Sequence, residues 1–290
     1  MRKLRNKLLL SILTVALTFI ALGTTTFAWF TLGGTATANA FEAEIKTPDG
    51  IEVSLDQQVW GNALELVAED ESLVFADITS ADGISFVDKA NAAAAEGSYF
   101  NVTIYVRSTN KDVTISLESL IVDASNFAEE ANWKSDATFA TGTTNGTDSF
   151  TAGEEYIFNA INAVRLSFVK GDAAQVLEIK GTDDHGSATN SEDGLTYKYA
   201  EAKESEANIT TTVTPKTADA TVNASGEITG TVTLLNANNF EAPETEDGYY
   251  YSDFEVNVWL EGWDPDCINA ILNGTVKLGF VLKADFSDAE

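Results

Sequence analysis

A nucleophilic thiol needs a base beside it, and this chain holds one cysteine, Cys267, and one histidine, His185. Cys267 follows Trp263-Asp264-Pro265-Asp266 and precedes an apolar run, the setting of a buried small hydrophobe. His185 sits far away in the polar run Gly181-Thr182-Asp183-Asp184-His185-Gly186. One histidine cannot supply the paired imidazoles of a zinc site. One cysteine cannot close an intramolecular disulfide, so the fold must rest on its core. Gly33-Gly34 lacks the Lys and Ser/Thr that hold a phosphate, and no Gly-x-Ser-x-Gly elbow occurs. No catalytic residue is assigned, and the chain is not expected to be an enzyme.

Carboxylates are the abundant chemistry, with 45 Asp and Glu. From so many no acid/base pair of the glycosidase kind stands out. Asp183, Asp184 and Asp193 share one polar loop, and Asp77 and Asp82 another, but neither follows an EF-hand pattern. Solvated acidic loops are expected there; calcium is the weaker alternative, and no other cofactor is expected. Aromatics offer a second chemistry. Tyr249, Tyr250 and Tyr251 follow an acidic turn, with Trp259 and Trp263 close behind. If Tyr249, Tyr250, Tyr251 and Trp263 are exposed, they could stack on sugar rings or on a protein partner; as alternating strand residues they would be core or cross-strand pairs.

The elements that must position these groups read as strands. Period-two alternation marks Phe100–Arg107 and Val113–Leu117, joined by Ser108–Asp112 as an expected hairpin. Asn162–Val169 and Gln175–Ile179 flank a Gly171-Asp172 turn. Ile228–Leu235, Phe254–Glu261 and Thr275–Leu282 alternate in the same way, the last with Val276, Leu278, Phe280 and Leu282 on one face. Phe41–Ile45 and Ile51–Leu55 flank Thr47-Pro48-Asp49-Gly50 and are expected to form a first hairpin. Helix signals are few: Asp264 as cap of a short helix to Leu272, and an Ala-rich turn over Asp88–Glu96. The expected fold is all-β, an antiparallel β-sandwich over residues 29–290, with polar insertions near 123–153 and 181–225. No internal repeat is evident.

Charge narrows the partners. The formal net charge is −28, which repels nucleic-acid backbones and anionic lipid, so neither nucleic acid nor a membrane surface is an expected partner of the body. The N-terminus differs. Arg2, Lys3, Arg5 and Lys7 precede Leu8–Gly23, an uncharged apolar run, which is the layout of an export signal. The run is slightly short for a spanning helix. Residues 1–28 therefore read as a signal peptide or membrane anchor, with cleavage expected between Ala28 and Trp29 and a second candidate at Ala40. The body is expected outside the cytoplasm, secreted or at the cell surface, with membrane contact only through the N-terminal segment.

The junction Thr25-Thr26-Phe27-Ala28-Trp29-Phe30-Thr31, followed by Thr35-Ala36-Thr37-Ala38-Asn39-Ala40-Phe41, resembles the N-terminus of the camelysin and TasA family of Gram-positive bacteria. That resemblance implies a signal peptidase cutting before an aromatic start, a jelly-roll β-sandwich, and subunits that form extracellular matrix fibres. In such fibres one subunit's N-terminal strand completes the next subunit's sheet. Here the segment carrying Trp29, Phe30, Leu32 and Phe41 would be that strand, since it is apolar and almost uncharged while sandwich edges leave backbone groups unpaired. The expected function is a structural subunit of a cell-surface filament or matrix, with self-association or other surface proteins as partners. The alternative is a surface-displayed adhesin or carbohydrate-binding module.

Overall fold

The computed structural model describes residues 41–48, 50–67, 75–88, 90–123, 126, 131–134, 139–141, 148–181, 184, 213–241, 248–264, 266–267 and 276–286. Alternating sequence makes strands the dominant regular structure among them. In chain order they are β1 (Phe41–Lys46), β2 (Ile51–Ser54), β3 (Ala63–Val67), β4 (Asp77–Thr79), β5 (Val87–Asp88), β6 (Phe100–Ser108) and β7 (Val113–Val122). Then come β8 (Ala131–Lys134), β9 (Phe139–Thr141), β10 (Asp148–Phe150), β11 (Glu155–Phe158), β12 (Val164–Lys170) and β13 (Ala173–Lys180). The last are β14 (Ala220–Asn223), β15 (Ile228–Thr229), β16 (Val232–Leu235), β17 (Tyr250–Glu261) and β18 (Val276–Phe286). The described helix is limited to short 3₁₀ turns, Ala160–Ala163 and Ala237–Asn239 among them. The fold is all-β.

Two large sheets account for most of these strands. One is ordered β16-β7-β18-β1-β3. The other runs β15-β14-β13-β12-β17-β4-β5, with β6 also paired to β17 and β2 to β6. Both feed one core. Ile45, Val113, Ile115, Leu278 and Phe280 come from the first sheet, and Ile104, Val106, Leu166, Phe254 and Val256 from the second. On β17 the inward set Phe254, Val256, Val258 and Leu260 is fully buried, each contributing about 1.5–3 kcal/mol. The expected face of β18, Val276, Leu278, Phe280 and Leu282, is buried throughout.

Several pairings depart from expectation. The β12–β13 hairpin forms around Gly171-Asp172 as read. The other two hairpins do not form. β1 joins β18 and β3, while β2 joins β6 in the other sheet. β6 pairs with β17 and β2, while β7 pairs with β18 and β16. In both cases the turn carries the chain from one sheet to the other. Alternation reports which face of a strand is apolar, and two strands facing one core from opposite sheets alternate like hairpin partners. The sheets are also mixed rather than antiparallel throughout: β1–β18, β13–β14 and β17–β4 are parallel pairs. The strand expected over 228–235 splits at Gly230 into β15 and β16, one in each sheet.

The regions read as insertions hold strands too. β8 pairs with β11 and β9 with β10 inside or beside 123–153, and β14, within 181–225, extends the larger sheet beside β13. Asp88–Glu96 is not helical; Asp88 accepts the Ala90 and Ala92 N–H groups in a tight turn closed by a Val87–Ala93 bridge. At Asp264 the described backbone is a turn, with Cys267 N–H donating to the Asp264 carbonyl, and 268–275 lie outside the described residues. Gly226 shows why glycine is needed where the chain passes β7. Its φ is +82°, and a Cβ there would stand 1.8 Å from the Leu120 carbonyl oxygen.

The export segment, the cleavage candidates Ala28 and Trp29, and Phe30 and Leu32 lie outside the described residues. Phe41 opens β1 and pairs with Val276 of the same chain.

Candidate functional site

β17 organises the outward side of the larger sheet. Its odd-numbered residues Tyr251, Asp253, Asn257 and Trp259 point away from the main core, opposite Phe254 and Val256. Pairing extends this face sideways in rows. Tyr251 lies beside Arg107 of β6, which lies beside Glu52 of β2; Asp253 lies beside Tyr105, which lies beside Ser54. At the other end, Trp259 lies beside Arg165 of β12, which lies beside Glu178 of β13.

The β2 end is open. After Ser54 the chain makes a tight loop that returns at Gly61, where Val53 and Gly61 exchange backbone hydrogen bonds at 2.8 and 3.1 Å. Asp56 builds the loop by accepting the Gln58 and Val59 N–H groups at 2.8 and 2.9 Å, while the Ser54 hydroxyl accepts the Gln57 N–H. These hydrogen bonds, from Val59 first, then Gln58 and Ser54, hold the Asp56 carboxyl below its ordinary pKa. Gln57 turns the chain at φ +61°. The loop delivers Trp60 to the face of the sheet, where it meets Tyr251 edge-on with ring centroids 5.6 Å apart. Arg107 donates to Glu52 at 2.6 Å, and its guanidinium lies 4.6 Å from the Trp60 ring centroid and 4.1 Å from that of Tyr249.

Between this loop, β6, β17 and the 239–241 segment lies a groove of about 200 Å³. Trp60, Tyr105 and Tyr251 supply its aromatic surface. Its polar surface comes from Gln57, Asn239, Glu241, Ser252 and the pair Lys170–Asp253, joined at 3.0 Å. Asn239 accepts the Asn236 N–H through its Oδ1, which leaves the amide nitrogen as its donor end. Val59, at the loop tip, is 74 % exposed.

The other end of the face is closed. A loop after β4 repeats the device: Asp82 accepts the Ile84 and Ser85 N–H groups, the Ser80 hydroxyl accepts the Gly83 N–H, and Gly83 turns at φ +79°. This loop delivers Phe86 to Trp259, again edge-on, at 5.1 Å. The Gly83 carbonyl accepts the Ser167 hydroxyl at 2.6 Å, and Ile78, Phe86, Val176 and Trp259 form a second small core.

Beside that core, Arg165 sits buried among carboxylates. Its Nη2 donates to Glu178 at 2.9 Å and lies 3.6 Å from Asp264 Oδ2. Glu261 accepts from Trp259 Nε1 at 3.1 Å and from the Trp263 N–H at 3.2 Å. Burial raises the Glu261 carboxyl above its ordinary pKa despite Arg165. Burial, then repulsion from Asp266, raises Asp264 well above its own, so this carboxyl holds its proton into a range where an exposed aspartate is ionised.

The aromatic residues read from sequence therefore separate. Tyr249 and Tyr251 belong to the open end, and Tyr251 lines the groove. Tyr250 faces the opposite way and packs against the main core. Trp263 is 4 % exposed and is corrected from a surface aromatic to a buried one, because the turn after β17 folds it under, with its N–H on Glu261. Cys267 is buried, as expected of a small hydrophobe. Asp82 is committed to its own turn, Asp183 and Asp193 lie outside the described residues, and no Asp/Glu/His/Cys group suited to a metal ion occurs among the described residues. Trp60, Tyr105 and Arg107 were missed in the sequence. The signal that could have found Trp60 is a Ser-x-Asp turn following a strand, with an aromatic four residues after the Asp, present twice as Ser54-x-Asp56…Trp60 and Ser80-x-Asp82…Phe86.

No family model, no curated protein and no solved structure matches the chain.

Proposed function

We propose that this chain is an exported, surface-displayed β-sandwich module that binds carbohydrate through the open end of its outer sheet face. The observation that carries this reading is the groove itself, in which Trp60, Tyr105 and Tyr251 meet Gln57 and Glu241, polar side chains without protein partners among the described residues. Sugar rings present apolar C–H faces and hydroxyl edges, and a recognition site for them combines aromatic surface with a few placed donors and acceptors. One core shared by strands of two sheets supports the sandwich reading, and the basic-then-apolar N-terminus supports export.

Affinity electrophoresis of the full chain through gels containing soluble polysaccharides tests it. Retardation is expected in at least one gel. Trp60→Ala and Tyr251→Ala should each weaken it about tenfold, the ~1.4 kcal/mol typical of an aromatic anchor. Unretarded migration in every gel, with fibres visible by negative-stain microscopy, would favour the filament subunit instead.

A further inference from the structure

Resting on the carbohydrate reading, the geometry points to an uncharged saccharide as the ligand of the groove, recognised over one ring unit, with anionic glycans excluded.

The charge at the site is already committed. Lys170 is the cation that lines the groove among the described residues, and its ammonium is held by Asp253 at 3.0 Å. Arg107 is the next cation along the face. It is tied to Glu52 at 2.6 Å and lies over Trp60 and Tyr249, so its fork is turned to protein partners. Recognition of a carboxylate or sulfate calls for such a fork presented to the ligand, or for an unpaired ammonium. The groove instead adds a carboxylate, Glu241, uncompensated among the described residues, in a chain of net charge −28. An anionic polymer meets repulsion from the whole surface as well as from the rim.

The polar groups uncommitted among the described residues suit hydroxyls. Gln57 offers both a donor and an acceptor, the Asn239 amide nitrogen a donor, the Tyr105 phenol either, and Glu241 an acceptor. A sugar hydroxyl donates and accepts at once, and this mixture pairs with it in either sense. Size sets the length: about 200 Å³ is below the ~300–1,000 Å³ of drug-sized ligand sites, so one ring fills it and the rest of a chain stays in solvent.

The test uses the full chain in affinity gels of neutral glucans, mannans and xylans beside gels of polyuronates and sulfated glycans. Retardation is expected in a neutral gel alone, and raising salt from about 50 to about 500 mM should leave it within about twofold, since no ion pair with the ligand is screened. Asp253→Asn frees the Lys170 ammonium and should add affinity for polyuronate of about two- to fivefold at the lower salt, absent at the higher. The double change Asp253→Asn with Lys170→Gln should lose that gain. Wild-type binding to an anionic glycan as strong as to any neutral one, or neutral binding that collapses with salt, overturns the inference while leaving the carbohydrate reading standing. No retardation in either class removes the carbohydrate reading itself.

Discussion

Replacing Arg165 with methionine should destabilise the fold in a manner that depends on pH. Arg165 is fully buried, donates to Glu178 and faces Asp264, with Glu261 close enough to feel its charge. Removing one partner of a buried, hydrogen-bonded ion pair costs about 3–5 kcal/mol, mostly because the remaining charge loses its compensation. Against a total stability of about 5–15 kcal/mol that is a large fraction. The loss depends on how many of these carboxyls are ionised. Glu261 and Asp264 are held above their ordinary values of 4.5 and 3.8 by burial, so the folded chain binds more protons than the unfolded one in the window above those values. These groups therefore stabilise the fold fully in acid, and their contribution falls as pH rises through the raised folded values. Arg165 offsets that fall in the wild type. Without it the carboxyls keep their protons to higher pH and cost more to ionise. The variant should lose little at pH ~5 and about 3–5 kcal/mol at pH ~8. With a urea slope of about 3 kcal/mol/M, the midpoint at the higher pH drops by about 1–1.7 M. Urea titrations of both proteins at both pH values, followed by tryptophan fluorescence, provide the measurement. An equal loss at the two pH values, or a larger one in acid, would refute the assignment of Arg165 as counter-charge to protonatable neighbours.

Three further substitutions separate structure from function. Gly226→Ala places a methyl against the Leu120 carbonyl at a backbone of φ +82°, and should lower stability by about 2 kcal/mol or more, seen as a drop in Tm and faster exchange of the Leu120 amide, which donates to the Gly226 carbonyl. Asp82→Ala and Asp56→Ala remove the same turn-building carboxylate from two similar loops. The first should lower Tm by about 2–4 °C, because its loop seats Phe86 in a core, whereas the second should leave Tm nearly unchanged and weaken glycan retardation, because its loop seats Trp60 at the groove.

What alternation encodes was legible, and what it does not encode was not. The buried sets of β17 and β18 follow from the order of Phe, Val and Leu alone, as does the hairpin at Gly171-Asp172. Sheet membership did not follow. Ile104 and Val106 face the same core as Val113 and Ile115 from opposite sheets, and no local signal distinguishes that arrangement from a hairpin. The parallel pairs β1–β18 and β17–β4 join residues distant in sequence, and nothing short-range announces them. The site was half legible. The tyrosines after the acidic turn include Tyr249 and Tyr251, which lie at the groove end of the face, but Tyr250 and Trp263 were indistinguishable from them by type. Their fates depend on strand parity and on the fold of the turn after β17. Trp60 and Tyr105 reach the groove through tertiary pairing, which places β6 beside β17 and β2 beside β6.

The two Ser-x-Asp loops explain why one end of the face is open and the other closed. Each comes after a strand, each turns at a residue of positive φ, and each brings an aromatic ring edge-on to an outward aromatic of β17, Trp60 to Tyr251 and Phe86 to Trp259. The difference lies in the path of the chain beyond the ring. After Phe86 the chain continues through a second tight turn at Asp88 and adds Ala94 and Tyr99 to the small core. After Trp60 it returns at once to the sheet through Gly61, leaving Val59 in solvent and the ground between Tyr251 and Asp253 uncovered by the described residues. One device thus makes a lid where the chain beyond it is long and apolar, and a rim where it is short. The open groove arises because the first loop is too short to cover the face that the second loop covers.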